Sequence, residues 1–259
     1  KNYGDGYHRA GDETGSRPFL EDSILPGGVR FGNLIHDGLE MFGFAELANG
    51  QLHIDKLEAL IRSYRYEIDT EPVRALLYNA VSTPLLPPET GEDSFTLAEL
   101  DHSRMVKEME FTLHLEPFTT AELNRILANE PTVRLLGRRD IEGYLSGFVD
   151  LIFCHKGRYF IADYKTNNLG PEHGYQPEGL LQAMRAHNYG LQYWLYSLVV
   201  HRFLRNWYED YRYDLHFGGV MYLFVRGMNP ERPGSAVFFD RPNQDSLMEL
   251  DRCFGSGAE

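Results

Sequence analysis

The sequence predicts a mixed α/β domain in which helices cover a central sheet, and three observations carry that prediction. Apolar residues recur at helical spacing from Val29 to Val81. Between Arg104 and Leu115 the period changes to two, which is the signature of a strand, and two further strands follow before Thr166. A long helical stretch and a further apolar strand then follow. Helices, then a meander, then helix and strand again can bury their apolar faces only by stacking helices on a sheet. The 259 residues suffice for one large domain or two small ones, and 42% hydrophobic content supports a real core.

Residues 1–28 are rich in Gly, Asp, Ser and Pro and read as a linker or arm from a preceding domain; residues 29–259 form the folded unit. From Val29 to about Leu47, the residues Phe31, Leu34, Ile35, Leu39, Phe42 and Phe44 fall at near-helical spacing. A second helix fits Ile54–Ile68 and a third Glu71–Val81, closed by the Pro-rich run 83–93. Met105, Met109, Phe111, Leu113 and Leu115 share one parity, so 104–115 reads as a strand. Thr119 or Thr120 caps a helix to about Asn129. Strands follow at 143–154 and 158–166, a long helix at 179–207, a strand at 217–226 and a last helix at 243–254.

A formal charge of −13 argues against a dedicated high-affinity nucleic-acid binder, because phosphate contacts need Lys and Arg. It leaves room for an enzyme that holds divalent cations with carboxylates and receives its substrate from a partner. Cys154 and Cys253 are too few for a disulfide framework or a zinc cluster and read as reduced thiols of a cytoplasmic protein. Nothing approaches the roughly 18–20 apolar residues of a membrane span, and no secretory signal is legible. Because the first residue is Lys, the chain reads as a piece of something longer.

The chemistry concentrates in one hairpin. In Gly143–Asn167 two apolar runs flank His155-Lys156-Gly157-Arg158, and Gly157 supplies the positive φ of a tight turn. A two- or four-residue loop puts Asp150 directly opposite Asp163, with Cβ atoms about 5 Å apart; an odd loop breaks that register. Phe148, Ile152, Tyr159 and Ile161 share their face and Val149, Leu151, Phe153, Phe160 and Ala162 the other, so both strands read as covered on both sides. Facing carboxylates there repel and lose hydration. A shared proton relieves this, and so does a divalent cation. Lys165, two residues past Asp163, points to the same face. A plain buried Asp–Lys pair is the competing interpretation.

Asp150 followed by Asp163-Tyr164-Lys165 resembles the D…(D/E)-x-K core of the restriction-endonuclease-like, or PD-(D/E)XK, nucleases. The segments 147–170, 186–205 and 216–227 resemble, in order, the C-terminal nuclease domains of the RecB family, and the likeness extends from about Phe31 onward. The resemblance implies a restriction-endonuclease-like core, a central mixed β-sheet flanked by helices with N-terminal helical additions. It implies that His36, Asp150, Asp163 and the Tyr164 carbonyl bind one or two Mg2+, replaceable by Mn2+ or Ca2+. Lys165 becomes the catalytic lysine and Glu108 an acidic catalytic position, with Glu110 an open alternative on the same parity. Gln192 and Tyr196 match a Q-x-x-x-Y helix motif and are expected to contact the scissile strand. Taken alone, His36, Glu108, Gln192 and Tyr196 read more simply as core or surface polar residues.

The same resemblance implies the nuclease module of an ATP-driven helicase-nuclease acting on double-strand ends in recombinational repair. Single DNA strands would arrive from RecC-like and RecD-like subunits, with a link to RecA loading. The helicase part is absent, and no G-x-x-x-x-G-K-[ST] loop occurs in the sequence. The alternative is a catalytically silent nuclease fold kept as a docking module. A nuclease carrying its own iron–sulfur cluster needs four cysteines and is excluded for these residues.

Overall fold

The computed structural model describes residues 25–87, 91 and 93–255. The expected arm over 1–28 falls outside them except for 25–28. The polypeptide begins with four helices, α1 (Val29–Met41), α2 (Phe44–Ala48), α3 (Ile54–Ser63) and α4 (Thr70–Ser82). The single helix expected over 29–47 is two, because Phe42 is extended and Gly43 starts a new helix. Helix α3 stops short of 68, where Arg65 takes a left-handed φ of 54°. Asp69 caps α4 by accepting from the Glu71 amide, and Pro72 is tolerated in the first turn, where its missing N–H costs nothing.

A five-stranded sheet follows in the spatial order β1 (Met105–Thr119), β2 (Asp140–His155), β3 (Arg158–Lys165), β4 (Phe217–Phe224) and β5 (Val237–Asp240). All neighbours are antiparallel except β3 and β4, which are parallel. A parallel pair needs a long crossover. It is made by α6 (Pro177–Ala186), α7 (Tyr189–Trp207) and α8 (Tyr213–His216), while α5 (Thr120–Ile126) joins β1 to β2 and α9 (Gln244–Cys253) closes the fold. Thr119 and Glu122 form a reciprocal capping box on α5. This mixed sheet between helices is the α/β restriction-endonuclease-like architecture that the motifs implied.

Two departures have local causes. The long helix expected over 179–207 breaks at Asn188, which is left-handed at φ 54° and accepts the Arg134 amide on its side chain. Gly190 makes the resulting close approach possible: a Cβ there would lie 2.4 Å from Thr132 Oγ1. Strand β5 is only four residues long and gave no alternation to read.

The core is continuous. Phe95 packs on Phe153 and Phe160 from the side of the N-terminal helices, while α7 lies on the opposite face of β3 and β4. Strand β4 is buried along its whole length. Strand β3 is covered on both faces as expected, but β2 is not: Phe148 is 53% exposed and Ile152 half-buried, so the aspartate side of β2 opens to solvent. No helix among the described residues is long and apolar enough to cross a membrane.

Candidate active site

The hairpin turn is the two-residue loop Lys156-Gly157, with φ 48° and 80°, and the ladder runs from His155–Arg158 to Leu151–Ala162. Asp150 and Asp163 are the next pair outward. There the strands part, because β3 continues along β4 while β2 continues along β1. The Asp150 side chain bridges the opening by accepting from the Tyr164 amide through Oδ2 at 2.7 Å. On the other side of β2, Glu108 stands in the register position facing Asp150, with φ 51°, between the pairs Lys107–Leu151 and Met109–Val149. Glu108, Asp150 and Asp163 thus form a row of carboxylates across three strands.

His36 reaches the same opening from α1. Its Nδ1 lies 3.4 Å from Asp150 Oδ2 and its Nε2 2.9 Å from the Tyr164 carbonyl oxygen. The Tyr164 ring turns to the opposite face and meets the His36 ring edge-on. Ligand atoms of His36, Glu108 and Asp150 all lie within 4.8 Å of one another. Glu110 is exposed, which decides between the two glutamates in favour of Glu108 as the member of this cluster. Asp163 is 2% exposed and its Oδ2 pairs with Lys165 Nζ at 2.5 Å, so the four-member set expected from sequence is divided in this geometry.

Helix α1 is clamped at both ends. Lys107 Nζ donates to the carbonyls of Leu39, Glu40 and Phe42 at 2.5, 3.2 and 2.9 Å, satisfying the helix C-terminus. Buried Arg226, just past β4, donates to the Thr166 and Pro26 carbonyls and so ties the approach to α1 to the exit of β3. Sequence reading passed over both residues. Lys107 carried a signal, since it falls on the apolar parity of Met105 and Met109.

Lys165 is held equally closely. Its ammonium lies 3.2 Å from Gln192 Oε1, 4.1 Å from the Tyr189 ring centre and 5.1 Å from that of Tyr222. Tyr222 donates to the same Gln192 oxygen at 3.0 Å, and Gln192 Nε2 donates to the Tyr196 hydroxyl at 2.7 Å. Tyr196 is buried. Gln192 thus bonds both the lysine and Tyr196. Tyr189 and Tyr222 complete the lysine's seat.

The electrostatics point one way. Burial and then the facing Asp150 charge push the Asp163 carboxyl above the ordinary range, with Lys165 pulling it back. Burial, then Asp150, raise Glu108 as well. Burial opposes charge on His36, but its hydrogen bond to Asp150 and the charges of Asp150 and Asp163 outweigh that and raise its pKa. Three crowded carboxyls face one lysine, and both imidazole nitrogens face oxygens. The pocket is short of positive charge.

A model of the PD-(D/E)XK nuclease superfamily matches residues 8–246. The chain belongs to this superfamily. The chain is 34% identical over 247 residues to the RecBCD enzyme subunit RecB of Escherichia coli strain K12, covering 92% of its own length and 20% of that subunit. Against the RecB subunit of Haemophilus influenzae it is 37% identical, covering 89% and 19%. Against that of Mycobacterium tuberculosis it is 34% identical, covering 80% and 21%. The chain thus spans about a fifth of the length of these relatives.

Proposed function

We propose that this PD-(D/E)XK domain is a Mg2+-dependent DNA nuclease that serves as the nuclease module of a RecBCD-type helicase-nuclease in double-strand-break repair. The observation that supports it most is the row of carboxylates with His36 at a strand opening beside a seated lysine. The donor set fits a hard divalent cation: carboxylate oxygens of Glu108 and Asp150, a backbone carbonyl at Tyr164 and one imidazole nitrogen. Asp163 keeps a second oxygen beyond the one paired with Lys165 and belongs to the same set. Such a cation supplies Lewis-acid stabilisation of phosphate charge and lowers the pKa of water.

The remaining roles fall to the chain. Lys165, fixed by Asp163, Gln192 and two aromatic faces, orients the attacking water and offsets charge on the phosphoryl oxygens. Gln192 and Tyr196 position that lysine. His36 and Asp150 brace the opening from opposite layers. By the RecB likeness, single strands from a duplex end would be delivered by RecC-like and RecD-like subunits in the cytoplasm, with RecA acting on the surviving strand. The Asp163→Ala variant tests this reading: it should fold, yet lose Mg2+-dependent cleavage of single-stranded DNA. Cleavage at the original rate would refute the assignment and favour a silent docking module.

A further inference from the structure

The acidic chain carries a cationic, solvent-facing concavity between the loop before β2 and the end of α6. Arg134, Leu135, Gln182, Arg185 and Ala186 line an open space of about 570 Å³. Arg134 and Arg185 are exposed, as are Arg138 and Arg139 on the same loop. Among the described residues none of these four guanidiniums makes an ion pair, whereas Arg74, Arg125, Arg202, Arg205, Arg212 and Arg232 all do. Unpaired arginines in a chain of charge −13 leave a local positive field.

The concavity is built in, and it is joined to the lysine. Asn188 accepts the Arg134 amide at 2.9 Å, and Gly190 lets α7 press on Thr132, so the loop is locked to the α6–α7 junction. From that junction His187 stacks on Tyr189, whose ring lies under the Lys165 ammonium. Asn167 closes the path, within 3.3 Å of His187 Nε2 and accepting from the Tyr189 hydroxyl. A line of cation, aromatic ring, imidazole and guanidinium thus leads from the reaction centre to the basic loop. Guanidiniums suit phosphates, and flat exposed rings suit bases.

We propose that this path is the track for the DNA single strand flanking the scissile phosphate, with Arg134 and Arg185 contacting backbone phosphates on one side of the cut. The assignment rests on the nuclease reading above. The test measures anisotropy of a fluorescein-labelled oligothymidine on the full chain, with Ca2+ present, across a salt series. Arg134→Ala with Arg185→Ala should weaken binding about tenfold and flatten the log–log salt slope by about 1.4, roughly 0.7 per phosphate contact. The Arg134→Lys and Arg185→Lys pair should keep most affinity, showing that charge and not loop packing is read. Lys56→Ala, on α3, should change nothing. Equal affinity and slope for the alanine pair would overturn the track and leave the basic loop to an acidic protein partner. Loss in the alanine and lysine pairs alike would also overturn it. Salt-dependent binding that the alanine pair weakens, in a chain that cuts no DNA, would uphold the track and sink only the nuclease reading.

Discussion

Lys165 owes its position to groups that each restrict a different direction: Asp163 from its own strand, Gln192 from α7, and the rings of Tyr189 and Tyr222 beneath. Removing the ammonium in Lys165→Ala should lower kcat by about 10³ with little change in metal affinity, as loss of an oriented transition-state donor does. Gln192→Ala leaves the lysine charged but freer to move. Its kcat should fall by about tenfold while melting temperature holds, and unchanged single-turnover rates would remove Gln192 from the account. At this scale the sequence was most legible where a strict period applies. The two-residue turn and strand parity placed Asp150, Asp163 and Lys165 together before any coordinates. Glu108 was separable from Glu110 only by packing, because parity treats them alike. Lys107 and Arg226 act through backbone carbonyls, which leave no pattern in side-chain identity beyond a lysine on an apolar parity.

Among the elements, α1 matters because it brings His36 from one layer to a site formed by another. Its C-terminal carbonyls depend on Lys107, whose ammonium burial pushes down to about 8, with Glu40 opposing. Lys107→Met fills the space but leaves those carbonyls without a donor. It should cost about 1–3 kcal/mol of stability and weaken metal binding, read by chemical denaturation and calorimetry. Helix α7 is tied to α9 by Asp251, which pairs with Arg202 at 2.5 Å and Arg205 at 2.9 Å. Beside them His201 is buried, and its pKa is lowered to about 4, first by burial and then by the two arginines against Asp251. Because the folded value lies below the unfolded one, the unfolded chain takes up the proton first on acidification. Stability is therefore full above about pH 6.5 and declines toward pH 4, by up to about 3 kcal/mol from this group. His201→Gln should flatten that part of a melting-temperature profile. Long periodic helices and the hairpin were readable from sequence. The breaks at Phe42–Gly43 and Asn188 were not, since apolar spacing continues across both and a backbone turn decides them. Strand β5 was too short to show a period.

For the molecule as a whole, a charge of −13 is compatible with the proposed DNA substrate because positive charge would be supplied locally, by Lys165, by the unpaired arginines of the α6–α7 side and by the cation proposed for the site. Apolar periods predicted helices covering a sheet, because they report which faces must be buried; that the sheet is mixed was implied by the family resemblance. It did not predict that β2 and β3 part at the aspartates, since that follows from each strand's different second neighbour. At the parting, Asp150 lies on the half-open face of β2 while Asp163 is buried against Lys165. The most direct test is anomalous diffraction from a crystal soaked in Mn2+. The expected result is a single strong peak, or a close pair, among His36, Glu108, Asp150, Asp163 and the Tyr164 carbonyl. An ordered lattice with no peak there would contradict the account.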